Sequence, residues 1–116
     1  MKITFLGGGN MANALIGGML KQGFAAADIT VVDPGSAARD KLERTYAVNC
    51  LETGEMLDNI GDLLVLAVKP QQMKDAVTPL VDKLGNAVVV SIAAGLDLAT
   101  LARFLGGHRK IVRCMP

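Results

Sequence analysis

The sequence predicts a doubly wound α/β fold, in which a mostly parallel sheet carries helices on both faces. Short apolar runs of strand length alternate with helically spaced apolar residues along all 116 positions. A glycine-rich turn joins the first strand to the first helix. Because no repeat, low-complexity tract or obvious linker interrupts the alternation, we expect a single domain.

The composition excludes several classes of partner. The chain is 51% hydrophobic and 3% aromatic, with a net charge of +1. It has no basic stripe interleaved with aromatic residues, so we expect no nucleic-acid partner. No apolar run approaches membrane-spanning length, so we expect no membrane partner. Cys50 and Cys114 lack C-x-x-C spacing and are interpreted as small buried strand residues in a cytoplasmic protein. No Cys, His or carboxylate cluster has metal-ligand spacing.

The first strand and helix organise the rest of the chain. Lys2–Leu6 is β-branched and aromatic and ends at three glycines, which is typical of a buried strand. From Asn10 the spacing becomes helical, with Met11, Leu15 and Met19 on one predicted stripe. Gly23 is the expected helix stop.

The turn between them has the pattern G-x-G-x-x-A, formed by Gly7, Gly9 and Ala12. Gly7 permits a tight turn, Gly9 lets a pyrophosphate approach bare backbone, and Ala12 allows close helix–sheet packing. The unpaired N–H groups of the first helical turn, from about Asn10, would face the anion. The strand–turn–helix context therefore indicates a dinucleotide site, with a purely structural turn as the alternative.

Asp33 ends the second predicted strand, Ile29–Val32, and begins the turn Asp33-Pro34-Gly35. It lies 21 positions after Ala12, where a dinucleotide-binding unit places its ribose-reading acid. A carboxylate there favours NAD over NADP, whereas Ser36 and Arg39 just beyond it could hold a phosphate. The alternative is a solvated turn residue, and the choice of coenzyme stays open.

The remaining pattern continues the alternation. We predict strands at Val48–Leu51, Leu63–Val68, Ala87–Ile92 and Lys110–Met115. Helices are predicted from Ser36 to Tyr46, from Pro70 onward with a break at Thr78-Pro79, and after a capping Asp97. If Thr78 begins a second helix, we expect it to act as that helix's cap.

Four segments at strand ends should converge on one crevice. In a doubly wound sheet, ligands bind beyond the carboxyl ends of the strands, at the switch point of the strand order. The segments predicted to meet there are Leu6–Met11, Asp33–Ser36, Ala67–Pro70 and Ala93–Gly95. Small residues in the last two segments would leave room for a flat ring.

Four sequence blocks also carry a family resemblance. The blocks are Gly7–Ala12 (GGGNMA), Ala67–Gln71 (AVKPQ), Ser91–Gly95 (SIAAG) and Arg113–Pro116 (RCMP). In order and spacing they resemble the N-terminal domain of the pyrroline-5-carboxylate reductases. The resemblance implies a Rossmann-type dinucleotide domain and reduction of 1-pyrroline-5-carboxylate, a small-molecule imine, to L-proline. It also implies NADP or NAD, in the reduced form, as the hydride donor.

The resemblance assigns the cofactor-binding residues by position. The glycine loop would bind the pyrophosphate, position 33 the adenosine ribose or its phosphate, and the two later segments the nicotinamide side. The residues implied are Leu6, Gly7, Gly8, Gly9, Asn10, Met11, Asp33, Pro34, Ala67, Val68, Lys69, Pro70, Ala93 and Ala94. An acid at position 33 departs from members that carry Ser or Asn and prefer NADPH.

The resemblance also implies parts beyond these residues. Family members continue into a helical C-terminal domain that forms a homodimer or higher homo-oligomer and completes the substrate pocket. Without that domain we predict that the chain binds nucleotide but does not turn over by itself, and no general acid stands out within it. Lys69 could face the substrate carboxylate, but a partly solvated neighbour of the cofactor is the favoured interpretation. His108 is interpreted as a surface residue.

Two other functions fit the same nucleotide domain. One is a related imine or β-hydroxyacid reductase with a different C-terminal half, which a substrate panel would distinguish. The other is a non-catalytic nucleotide-sensing module, which would bind dinucleotide without oxidising it. Fold alone does not decide between them.

Overall fold

The structure is a computed structural model that describes residues 1–92 and 95–114. Within these residues one parallel sheet has the strand order β3-β2-β1-β4-β5-β6. This order confirms the doubly wound prediction. The strands are β1 Ile3–Leu6, β2 Ile29–Val32, β3 Asn49–Leu51, β4 Leu63–Leu66, β5 Val88–Ser91 and β6 Ile111–Arg113.

The crossovers between strands are helical, with one exception. The α-helices are α1 Asn10–Lys21, α2 Ser36–Tyr46, α3 Pro70–Val77 and α4 Leu98–Phe104. Short 3₁₀ helices cover Ala26–Asp28, Gly54–Met56 and Thr78–Lys83. The β3–β4 crossover therefore carries only a 3₁₀ turn. This places an irregular loop beside the carboxyl end of β3.

Each face of the sheet has its own core. On one face, Ile16 of α1 and Leu42 of α2 pack with Phe5 and Val31 of the strands. The other face has the same arrangement, with residues from α3, the following 3₁₀ helix and α4 against Leu64 and Leu66. Each fully buried aliphatic side chain contributes about 1.5–3 kcal/mol relative to an exposed one. The two cores hold the carboxyl edge of the sheet between two helical layers.

The apolar stripe predicted for α1, which begins at Met11, was wrong: the buried face of the helix begins one residue later, at Ala12. Ala12 and Ile16 are fully buried, whereas Met11 is 45% exposed. Leu15 and Met19 pack only at the margin of the core. The close helix–sheet approach at Ala12 sets the rotation of the helix, and Ile16, one turn later, follows onto the same face.

The break predicted at Thr78 is present, but its predicted cap is not. Helix α3 ends at Val77 and the 3₁₀ helix begins at Thr78. The Thr78 hydroxyl donates backward to the Lys74 carbonyl at 2.7 Å and makes no N-terminal cap. Asp97 does cap α4, because its Oδ1 accepts the Thr100 N–H at 2.8 Å, and this hydrogen bond lowers the Asp97 pKa.

Two sequence interpretations of isolated residues need correction. Cys50 is half-buried, as expected, and burial raises its pKa to about 11. Cys114 is exposed because it follows β6, the edge strand of the sheet. His108 is half-buried, and its Nε2 lies 2.7 Å from the Ala87 carbonyl oxygen. Among the described residues, no helix is both long and apolar enough to span a membrane.

Candidate dinucleotide site

Gly7 makes the turn out of β1 in a conformation that few other residues adopt. Its φ is +102°, and its N–H donates to the Val32 carbonyl at 2.8 Å. A Cβ at this position would lie 2.7 Å from the Ala67 carbonyl oxygen. Gly7 is therefore wedged between the ends of β2 and β4, as the predicted tight turn requires.

Gly8 connects the glycine loop to Asp33. The Gly8 N–H donates to Asp33 Oδ2 at 2.7 Å. A Cβ on Gly8 would meet the Leu42 side chain at 2.9 Å, so α2 also limits this position. The loop is held from two sides before any ligand is bound.

Gly9 differs from its two neighbours because the space beside it is open. Apart from Gly9 itself and its two chain neighbours, no residue has an atom within 4 Å of the position that its Cβ would occupy, and Gly9 is exposed. It is the N-cap of α1, with φ −78°, and no side chain caps the helix there. The first turn of α1 contains no acidic residue, so no side chain of the helix itself neutralises the positive end of its dipole; the Asp33 carboxylate lies beside it, on the Gly8 N–H. This geometry is suited to a phosphate.

The carboxylate of Asp33 is already used by the protein. Besides Gly8, the Gly35 N–H donates to Asp33 Oδ1 at 2.7 Å. Arg39 Nη1 donates to the Asp33 backbone carbonyl at 2.8 Å, which holds the guanidinium next to the same turn. Each carboxylate oxygen keeps a further lone pair for a ribose hydroxyl. Ser36, the first residue of α2, is exposed beside this turn, and Pro34 is exposed within it.

The β4 side closes the opposite flank of the glycine loop. Ala67 N donates to the Leu6 carbonyl at 2.8 Å, so β1 and β4 stay paired up to the turn. Lys69 is exposed and is the N-cap residue of α3, and Pro70 occupies its first turn. A Cβ on Gly95 would lie 3.9 Å from Pro70 Cγ, so the segment after β5 returns beside α3. The predicted positions 93 and 94 lie outside the described residues.

A cleft of about 360 Å³ adjoins the loop, between the segment after β3 and helix α3. We call it the β3–α3 cleft. It shares Leu6, Pro34 and Val68 with the predicted site. Sequence reasoning missed the residues that complete its lining: Val32, Glu52, Thr53, Gly54, Gln72, Asp75, Ala76 and Pro79. They carry no motif, although the spacing of Gln72 and Ala76 by one helical turn is a weak signal.

The other chemistry-bearing residues do not join the site. His108 contacts Ala87, which precedes β5, so it lies at the amino edge of the sheet, opposite the glycine loop. In the described part of the chain, no three His, Cys, Asp or Glu side chains are grouped so that they could hold a metal ion. The described site therefore offers backbone donors, the Asp33 carboxylate and a largely apolar cleft that Glu52 and Asp75 also line.

The fold and this site define the class of protein: a doubly wound α/β domain of the type that binds dinucleotides at its switch point. Residues 2–95 match the family described as NADP oxidoreductase, coenzyme F420-dependent. The chain belongs to that family.

Individual relatives are pyrroline-5-carboxylate reductases. The enzyme of Pseudomonas aeruginosa is 43% identical over 116 residues, which are 99% of this chain and 42% of the relative. The enzyme of Escherichia coli is 38% identical, over 99% of this chain and 44% of the relative. The chain thus spans less than half the length of these curated relatives.

Solved structures agree with the sequence comparison. The pyrroline-5-carboxylate reductase of Coxiella burnetii has a TM-score of 0.91 at 32% identity, covering 99% of this chain and 43% of that one. The Plasmodium falciparum pyrroline carboxylate reductase, solved with NADP bound, has a TM-score of 0.81 at 24% identity over 97% and 41% of the two chains. At that identity the second likeness shows the fold alone.

Proposed function

We propose that this chain is the dinucleotide-binding part of an NAD(P)H-dependent reductase that converts 1-pyrroline-5-carboxylate to L-proline. The observation that carries the proposal is the open, uncapped N-terminus of α1 at Gly9. It stands in a chain 43% identical to a named pyrroline-5-carboxylate reductase. A structural turn needs the glycine at position 7, but it does not need open space at position 9.

The residues of the chain fit a dinucleotide from end to end. The exposed backbone at Gly9, Asn10 and Met11 would receive the pyrophosphate. The adenosine ribose would lie against Asp33, with its base in the β3–α3 cleft, whose lining is largely apolar. The segment at Ala67–Pro70, with positions 93 and 94, would border the nicotinamide side.

This placement gives the coenzyme and the chain different roles in the reaction. When bound, the reduced nicotinamide supplies a hydride to the imine carbon. This chain binds and orients the donor, and the glycine loop is held rigid for that purpose by Asp33 and β2. The ring nitrogen must gain a proton, and no catalytic residue for that step is assigned within this chain.

Three further features belong to the proposal. A helical domain in a longer protein would complete the imine pocket and form a homodimer or higher homo-oligomer. The protein would act in the cytoplasm. The free chain would then bind nucleotide without turnover. The length of the curated relatives, more than twice that of the matched region, supports this division.

The test combines binding and turnover. The 116-residue chain is titrated with NADPH and NADH, and the absorbance of the reduced coenzyme is then followed after adding 1-pyrroline-5-carboxylate. Binding without absorbance decay supports the proposal, provided that the longer protein does turn over. Oxidation of the reduced coenzyme with other imines, or with the carbonyl compounds that yield β-hydroxyacids, but not with pyrroline-5-carboxylate, would point to a related reductase.

A matched pair of variants locates the base. Ala76→Phe places a ring in the β3–α3 cleft, whereas Gln71→Phe places the same ring on an exposed position of α3. The proposal predicts that only Ala76→Phe weakens NADPH binding. Equal NADPH affinity in the two variants would show that the adenine base does not bind in this cleft.

A further inference from the structure

One wall of the β3–α3 cleft is formed by an irregular part of the chain. The segment after β3 supplies Glu52, Thr53 and Gly54 to the lining of the β3–α3 cleft. This crossover contains a single 3₁₀ turn, Gly54–Met56, and its internal hydrogen bonds are few and short in range. Such a segment has little rigidity of its own, so its position depends on what it is attached to.

Lys83 provides that attachment. It is the last residue of the 3₁₀ helix Thr78–Lys83. Its Nζ donates to the Gly54 carbonyl at 2.9 Å and to the Glu55 carbonyl at 3.0 Å. Its own backbone carbonyl accepts the Ile60 N–H at 3.2 Å. One residue therefore holds both ends of the crossover against the layer formed by α3 and the 3₁₀ helix.

Close packing around Gly54 also holds this part of the crossover in place. Gly54 is buried, and a Cβ added to it would overlap the Leu80 side chain and lie 3.7 Å from Pro79 Cβ. Pro79 itself lines the cleft. The wall at Gly54 therefore leaves no room for a side chain next to Leu80 and Pro79, and Lys83 is hydrogen-bonded to this wall.

We propose that Lys83 is a positioning residue for the adenine end of the dinucleotide, acting through the crossover wall at residues 52–56. The inference rests on the proposed function for the identity of the ligand. Charge-assisted hydrogen bonds to carbonyl oxygens are about twice as strong as neutral ones. Loss of both bonds frees the wall, so the cleft no longer has a fixed width for the base.

The experiment uses three variants of the 116-residue chain and ADP-ribose, which contains the adenine end but no nicotinamide. Lys83→Met keeps the aliphatic stem and removes the donors, and Lys83→Arg restores charge and donors. Lys74→Met removes an exposed lysine of α3 as the surface control. We expect Lys83→Met to bind ADP-ribose about tenfold more weakly, which corresponds to about 1.4 kcal/mol. Lys83→Arg and Lys74→Met should stay within about twofold of the unmodified chain.

Two readouts separate positioning from loss of fold. Hydrogen exchange should accelerate at the N–H groups of Met56, Leu57 and Ile60 in Lys83→Met, since these groups are bonded within or to the held crossover. Leu101→Val, in the core under α4, serves as a fold control that lowers the melting temperature away from the cleft. It should leave ADP-ribose affinity unchanged.

The possible outcomes are distinct. Unchanged ADP-ribose affinity in Lys83→Met overturns the inference, as does an equal loss in Leu101→Val. If the unmodified chain binds neither ADP-ribose nor NADPH, the proposed function fails instead. In that case unaltered hydrogen exchange in Lys83→Met would also refute the attachment itself, and faster exchange would uphold it.

Discussion

Asp33 and Gly8 are joined by a 2.7 Å hydrogen bond from the glycine-loop N–H to the carboxylate Oδ2. The residue that we propose contacts the adenosine ribose therefore also holds the loop that we propose binds the pyrophosphate. With the Gly35 N–H on its other oxygen, the Asp33 carboxylate accepts two backbone hydrogen bonds. We therefore expect loop geometry and coenzyme choice to be coupled through this one side chain.

Asp33→Asn tests this coupling. The amide has one accepting oxygen, so either Gly8 or Gly35 faces an NH₂ group and loses its acceptor. Because the Gly8 bond is partly buried and the Gly35 bond is exposed, the amide oxygen should stay on Gly8, and we expect a loss of about 1 kcal/mol in the free energy of unfolding. Removing the negative charge should also shift the NADH-to-NADPH affinity ratio toward NADPH by about tenfold.

Chemical denaturation and calorimetric titration of both coenzymes measure these two effects. Asp40→Asn, at an exposed position of α2, is the matched control and should change neither. An Asp33→Asn chain with an unaltered affinity ratio would show that the carboxylate does not face the ribose.

Gly7→Ala tests the turn out of β1. Two costs combine there: a φ of +102° and a Cβ position 2.7 Å from the Ala67 carbonyl oxygen. Gly23→Ala is a close control, because Gly23 has a φ of +101° and no atom within 4 Å of its Cβ position. In urea denaturation we expect the free energy of unfolding to fall by about 1 kcal/mol in Gly23→Ala and by about 2–4 kcal/mol in Gly7→Ala. Equal losses of unfolding free energy in the two variants would mean that the close approach of Ala67, after β4, does not add to the cost.

The two cysteines should differ in reactivity. Burial, with a smaller contribution from Glu43, raises the Cys50 pKa from 9.0 to about 11. At pH 8 its thiolate fraction is therefore about a hundredfold below that of an unperturbed thiol, and its reaction with a disulfide reagent should be slow. Exposed Cys114 should give the fast phase, which Cys114→Ser removes. A fast phase that persists in Cys114→Ser would contradict the burial of Cys50.

The same shift has a consequence for stability. Since the folded pKa of Cys50 is raised, its contribution is fully present below pH 9 and is lost as the pH rises toward 11. Wild-type stability should therefore fall more steeply over that interval than that of Cys50→Ser. If the melting temperatures of the two proteins changed in parallel with pH, this effect would be refuted.

The central part of the sheet was predictable because its strands are short, mostly apolar runs bounded by turn residues. Leu63–Leu66 is fully apolar, as a central parallel strand requires. The glycine loop was predictable for a similar reason, since backbone geometry restricts Gly7 to one residue type. Features that depend on the backbone conformation of a single residue could thus be predicted from the sequence around that residue.

Features that depend on contacts between distant segments were not predictable. The rotation of α1 follows from how closely Ala12 approaches the sheet, and the period of its apolar residues allowed the neighbouring stripe at Met11. The lining of the β3–α3 cleft comes from separate segments without a motif. Exposure of Cys114 follows from β6 being the edge strand, and strand order is a tertiary property.

The central claim is that the open N-terminus of α1 binds the pyrophosphate of a dinucleotide. Gly9→Val and Gly18→Val test it as a pair, because neither position has an atom within 4 Å of its Cβ. Both variants should fold, but only the valine at position 9 stands where the anion must approach. In calorimetric titration with NADPH, the account predicts at least tenfold weaker binding for Gly9→Val and unchanged binding for Gly18→Val. Wild-type affinity in a folded Gly9→Val chain would contradict it.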